Sequence, residues 1–118
     1  MNEYRIYIPP FIEDDVDYFY DVLFDYGEKT AERFRADFKK KLEQIERHPF
    51  SCAVDLVYPS LTEMGVRKAV INKDRYLVLY FIDGKQIIII AVERAERDYI
   101  TTFEANLKLY NETNERDG

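Results

Sequence analysis

Two uninterrupted apolar runs, residues 76–82 and 87–92, flank the dipeptide Asp83-Gly84. Asp-Gly between such runs predicts a β-hairpin, because a tight type I′ turn needs positive φ at both central residues. The runs consist of Val, Ile, Leu, Tyr, Phe and Ala, most of which suit a pleated, packed surface. Neither run alternates apolar with polar positions, so both faces of the hairpin should be covered. A single long helix is disfavoured by the central Asp-Gly and by the β-branched stretch Ile87-Ile88-Ile89-Ile90.

Upstream the pattern changes period. Tyr4, Ile6 and Ile8 alternate with Arg5 and Tyr7, which predicts a half-buried strand ended by Pro9-Pro10. Ile12, Val16, Phe19, Leu23 and Tyr26 then recur every three or four residues, opposite Asp14, Asp17, Asp21 and Asp25. That stripe predicts a helix stopped near Gly27. A second helix, about 29–47, carries Ala31, Phe34, Phe38, Leu42 and Ile45 and is closed by Pro49. Residues 49–64 lack periodicity and read as an extended connection. Residues 66–71 read as a strand, and Asn72-Lys73-Asp74 as a turn into the hairpin. Asp98 is the expected N-cap of a last helix striped by Ile100, Phe103, Leu107 and Tyr110, before a polar, fraying tail from about residue 111. The order implies one α+β domain over 1–118, a helical hairpin packed on a mainly antiparallel four-stranded sheet, with a C-terminal helix. The second face of the central strands needs a cover, from that helix or from a partner chain.

A length of 118 residues and a hydrophobic share of 47% suit one globular domain. The longest apolar stretch is far short of the ~20 residues a membrane helix needs. The opening MNEYRIYIPP lacks the basic region and apolar core of a secretory signal. A single cysteine, Cys52, fits a reducing cytoplasm, and with His48 it cannot complete a zinc site. Neither a metal nor a cofactor is expected. The net charge is −6, but it is unevenly spread. Residues 1–60 hold 8 basic and 13 acidic groups, whereas residues 61–103 hold 7 and 6, so a local phosphate-binding face is compatible with an acidic chain.

No phosphate loop, GxGxxG or nucleophile elbow is present. Asp14, Asp17 and Asp21 could form a carboxylate pair for acid–base work, but their helical spacing reads as a solvated face. Lys39-Lys40-Lys41, with Glu43 and Glu46 close by, reads the same way. Arg67, Arg75, Arg94, Arg97 and Tyr99 surround the hairpin. In an antiparallel meander Arg75 and Arg94 should meet at its open end with Arg97 nearby. Converging guanidinium groups can hold a phosphate bidentately and stabilise the charge of phosphoryl transfer, with Tyr99 as proton donor or stacking ring. The neighbouring acids Asp74, Glu93, Glu96 and Asp98 offer those arginines structural partners instead.

GVRKAVINKDRYLVLYFIDGKQIIIIAVERAERDYITTF resembles the C-terminal half of the RelE/ParE superfamily, the toxins of type II toxin–antitoxin modules, also called plasmid stabilisation proteins. The resemblance rests on Gly65 and Arg67, Arg75-Tyr76, Ile82-Asp83, the apolar 87–92 run and Arg97-Asp98, and it spans about 4–103. It implies a small α+β cytoplasmic toxin neutralised by a cognate antitoxin, as a homodimer or a toxin–antitoxin hetero-oligomer. The antitoxin face is expected on the outer side of the sheet or on the helical hairpin.

The resemblance implies one of two activities, and the acidic charge supports a third reading. One is metal-independent mRNA cleavage on the ribosome, with Arg67, Arg94, Arg97 and Tyr99 as catalytic residues and Lys68 and Arg75 holding substrate. Another is non-catalytic inhibition of DNA gyrase. The third is a non-toxic binding module that kept the fold. Arg94 stands where many nuclease members carry a histidine, PSLTEMG has Glu63 in place of a lysine-rich patch, and the pI is about 4.8.

Overall fold

The computed structural model describes residues 3–117. Its order is β1 (Arg5–Tyr7), α1 (Pro10–Phe24), α2 (Glu28–Arg47), α3 (Pro59–Met64), β2 (Arg67–Ile71), β3 (Tyr76–Asp83), β4 (Gln86–Arg94) and α4 (Tyr99–Asp117). The four strands form one sheet in the order β1-β4-β3-β2. β3 pairs antiparallel with both β2 and β4, while β1 pairs parallel with β4. The expected α+β architecture is therefore present, with a mixed sheet. Among the described residues no helix is long and apolar enough to cross a membrane.

The hairpin forms where expected, but its turn is displaced by one residue. Asp83 pairs with Gln86, so Gly84-Lys85 is the two-residue loop. In this loop only Gly84 has positive φ, 62°, and a glycine at the first central position is the requirement of a II′ turn. Asp83 is thus spared the left-handed conformation that a I′ turn would impose on it. The β2–β3 connection is more strained, since Asn72, Lys73 and Asp74 all have positive φ. Asn and Asp tolerate that region, whereas Lys73 costs about 1–2 kcal/mol there.

Each face of the central strands has its own cover. On one side Ile12, Val16 and Phe19 of α1 and Phe34, Phe38 and Ile45 of α2 pack on Val78, Tyr80, Ile87, Ile89 and Val92. On the other, Tyr99, Phe103 and Tyr110 of α4 pack on Leu77, Leu79, Phe81, Ile88 and Ile90. The C-terminal helix, not a partner, supplies the second layer. Tyr26 does not join the first stripe; α1 ends at Phe24, and Tyr26 is 82% exposed in the turn to α2.

Within residues 49–64, where no helix was expected, α3 forms between Pro59 at its first turn and Gly65, which is left-handed at φ 71°. Pro inside the start and Gly past the end are a helix signature, masked here because Leu61 is the sole buried residue. At the far end, Asp98 Oδ1 accepts the Ile100 N–H at 3.4 Å, as expected of a cap, and α4 continues through the polar segment to Asp117.

A β-bulge interrupts the β3–β4 ladder: Leu79 pairs with Ala91 and Tyr80 with Ile89, leaving Ile90 without a partner on β3. The buried Asn106 of α4 donates its side-chain N–H to the Ile90 carbonyl at 3.0 Å. An apolar residue at 106 would leave that buried acceptor unpaired. Asn106→Leu should therefore lower unfolding free energy by about 1–3 kcal/mol in urea titration, despite similar volume. Unchanged stability would show that the bulge carbonyl does not need its donor.

Candidate functional site

The expected site residues fall into four places. Arg67 lies on β2 opposite Tyr80, on the face covered by α1 and α2, with Ala69 and Ile71. Its Nη1 donates to the carbonyls of Cys52 at 2.5 Å and Phe50 at 3.2 Å, and its guanidinium sits over the Phe50 ring. Nearby, Tyr80 donates its hydroxyl to the Pro49 carbonyl at 2.7 Å. Burial pushes the Tyr80 hydroxyl far above its ordinary range. Arg67 and Tyr80 thus tie down the loop that leaves α2, whose carbonyls have no regular partners.

Lys68 and Tyr99 meet on the opposite face of the sheet, around Asp55. Tyr99 donates its hydroxyl to Asp55 Oδ2, and Lys68 Nζ lies 3.2 Å from both Asp55 Oδ2 and the Tyr99 oxygen. Asp55 Oδ1 accepts the N–H groups of Val57 at 2.9 Å and Tyr58 at 3.0 Å. The Tyr58 ring meets the Tyr99 ring edge-on at 5.1 Å, and its hydroxyl donates to Asp98. Asp55 is only 1% exposed. Burial pushes its carboxyl up, but the hydrogen bonds from Tyr99, the two backbone N–H groups and Lys68 outweigh it and hold it below its ordinary value. Burial and the Asp55 hydrogen bond raise the Tyr99 hydroxyl. Burial would lower the Lys68 ammonium, but Tyr99 and Asp55 leave it raised. The arrangement stabilises an ionised carboxylate and a protonated phenol. It joins the start of α4, β2 and the loop before α3. Sequence reasoning missed Asp55, since a lone acid in an aperiodic segment carries no signal of burial.

Arg75 and Arg94 meet at the open end of the β3–β4 hairpin, as the meander predicts. Tyr76 pairs with Arg94, and the Arg75 carbonyl accepts the Ala95 N–H at 2.8 Å. Both arginines line a cavity of about 590 Å³ between the sheet and the α1–α2 hairpin. Arg94 approaches Glu96 at 3.7 Å, a long, exposed pair worth little. Arg97 does not join them; it pairs at 3.4 Å with Glu93, whose side chain is 8% exposed. Arg67 is two strands away from Arg94. Their partners Tyr80 and Tyr76 are four residues apart on β3, so a further ~13 Å separates them along the strand.

The Asp55 cluster makes stability depend on pH with a definite sign. The folded-state value lies below the unfolded one, so this stabilisation is complete above the ordinary value of 3.8 and fades as pH falls through the folded value. Asp55→Asn should lose about 1–3 kcal/mol at neutral pH, and its deficit should shrink below about pH 4. Urea titrations between pH 7 and 3 test this; a deficit equal at both ends would contradict the ionised assignment.

No curated protein matches the chain. A solved structure described as the chromosomal ParDE TA system from P. aeruginosa is similar in fold, with a TM-score of 0.65 and 18% identity. The match covers 80% of this chain and 98% of that one. Residues 7–99 match the family model described as ParE toxin of type II toxin-antitoxin system, parDE. That span runs from the last residue of β1 through both helices of the hairpin, α3 and all three remaining strands, and the chain belongs to this ParE toxin family.

Proposed function

We propose that this chain is the toxin of a type II toxin–antitoxin pair that arrests growth in the cytoplasm by binding DNA gyrase, without cutting RNA. The observation that carries the choice is the dispersal of the residues a nuclease reading requires. Tyr99, the proton donor that reading names, is hydrogen-bonded to Asp55 beneath α4, and Lys68 is ion-paired to the same carboxylate. Arg67 binds loop carbonyls on the other face, while Arg94 sits two strands away. General acid–base work needs donor and phosphate-binding groups within reach of one scissile bond. The excess of acid, −6 overall, also disfavours encounter with the polyanionic ribosome.

The antitoxin docks, in this reading, on the outer side of α1. α4 already covers the outer face of the sheet, whereas Tyr18 at 63% and Val22 at 38% exposure form an apolar stripe one turn apart on α1. Aspartates at 14, 17, 21 and 25 border the stripe and favour a partner segment with basic residues.

Induced expression of the chain alone should arrest growth and trigger the DNA-damage response, with mRNA intact. Co-expression of the cognate antitoxin should restore growth, and Val22→Lys should escape that rescue. Early mRNA ends inside translated codons, abolished by Arg94→Ala, would replace the gyrase reading with ribosome-associated cleavage. Absence of arrest would leave an antitoxin-binding module that is not toxic.

A further inference from the structure

The cavity at the open end of the hairpin includes neither Tyr18 nor Val22 of the proposed antitoxin stripe. Its walls bring cations from three separate parts of the fold: Arg33 from α2, Lys73 and Arg75 from the strained β2–β3 loop, and Arg94 from the end of β4. Two acids, Asp74 and Glu96, also line it, which leaves a surplus of two positive charges in a chain that is acidic as a whole. The charged side chains of Arg33, Lys73 and Arg75 have no ion-pair or hydrogen-bond partner among the described residues. Separate elements do not bring like charges to one cavity without cost, and an anion would remove that cost.

A second observation points into the same space. Tyr76 is 5% exposed, its ring clamped by Phe34 at 4.8 Å and Phe19 at 5.1 Å, yet it lines the cavity. Its hydroxyl has no hydrogen-bond partner among the described residues. The residue is buried, but the hydroxyl itself reaches solvent, because among the described residues no buried side-chain oxygen or nitrogen lacks a partner; it can donate to whatever occupies the cavity. Burial raises its pKa, against the pull of Arg94 and Arg75, so at neutral pH it is a protonated donor.

We infer that this cavity is a binding site for a phosphomonoester dianion, held by Arg33, Arg75, Arg94 and Lys73 with the Tyr76 hydroxyl as a neutral donor. Two negative charges match the surplus of two positive ones, which a singly charged phosphodiester or carboxylate would not. Guanidinium groups present paired donors to phosphate oxygens. The volume of about 590 Å³ exceeds a bare phosphate and leaves room for a nucleoside beside Leu23. Such a group comes from a free mononucleotide or from the phosphorylated end of a nucleic-acid strand. No bond is made or broken in this step.

Titration of the ¹⁵N-labelled full chain with inorganic phosphate, AMP, and short 5′-phosphorylated or 5′-hydroxyl oligonucleotides tests the site. Phosphate and AMP should shift the amides of residues 73–76 and 94–96, and acetate at equal concentration should not. Arg33→Ala should weaken AMP binding about tenfold or more, and Tyr76→Phe, which keeps the clamped ring, about two- to tenfold. Tighter binding of the 5′-phosphorylated strand than of AMP identifies a strand end as the source; binding no tighter identifies a mononucleotide. Equal affinity for 5′-hydroxyl and 5′-phosphorylated strands would overturn the monoester assignment. Amide shifts elsewhere, or identical affinities for Arg33→Ala and the native chain, would overturn the site itself.

Discussion

Everything in this fold answers to one constraint: β3 and β4 are apolar on both faces. Between them, Leu77 to Phe81 and Ile87 to Val92 are buried without interruption. Exposing either face to water would forfeit about 1.5–3 kcal/mol for each large side chain. The chain meets the constraint with two unlike layers, an amphipathic helix pair on one side and a single C-terminal helix on the other. The sheet edges are occupied as well. Ile6 of β1 donates its N–H to Glu46 of α2, and residues 53–55 lie along the start of β2 through Lys68 N–H to Ala53 and Asp55 N–H to Val66. A single helix covers a sheet face less fully than a pair, so α4 depends more on specific polar ties.

Those ties explain where the polar side chains near the sheet went. The β4 bulge leaves the Ile90 carbonyl off the β3 ladder, and Asn106 reaches back to it. Asp55 fastens the first residue of α4 to β2 through Tyr99 and Lys68. The bulge also changes which way the end of β4 faces. Ile90 and Ala91 both pack under α4, so Val92 turns toward the helical hairpin and Glu93 back toward α4. Continued in phase, Arg94 enters the cavity beside Tyr76. A regular ladder would have sent Arg94 to the other face and left the cavity one cation poorer.

Much of the architecture is legible in residue patterns because it rests on period. Alternation marks β1, the stripes from Ile12 and Ala31 mark the helix pair, and unbroken apolar runs mark strands covered twice. The sequence also brings Arg75 and Arg94 together correctly, since antiparallel pairing joins the start of one strand to the end of the next. What it could not show depends on phase and on long-range contacts. An all-Ile run gives no sign of where a bulge falls, so the faces of Glu93 and Arg94 were undetermined. Arg67 and Lys68 are adjacent in sequence but, as strand neighbours, point to opposite faces, which separates two residues expected in one site. Asp55 lies in a stretch with no period at all. Its burial follows from α4 docking above it and from nothing local. The unpartnered Tyr76 hydroxyl is equally silent in a sequence where aromatic residues suit the core.

The central claim is that α4 is an integral layer of the fold, fastened at Asp55, which makes Tyr99 and Lys68 structural groups rather than chemical ones. Native-state hydrogen exchange, read residue by residue, tests it most directly. Amides of residues 103–107 should exchange only through the global opening that also releases Leu79 and Ile89, with matching free energies. Exchange of the α4 amides through a separate, lower-energy opening, while β3 and β4 stay protected, would contradict it. Tyr99 would then be free to serve the chemistry that the buried cluster denies it.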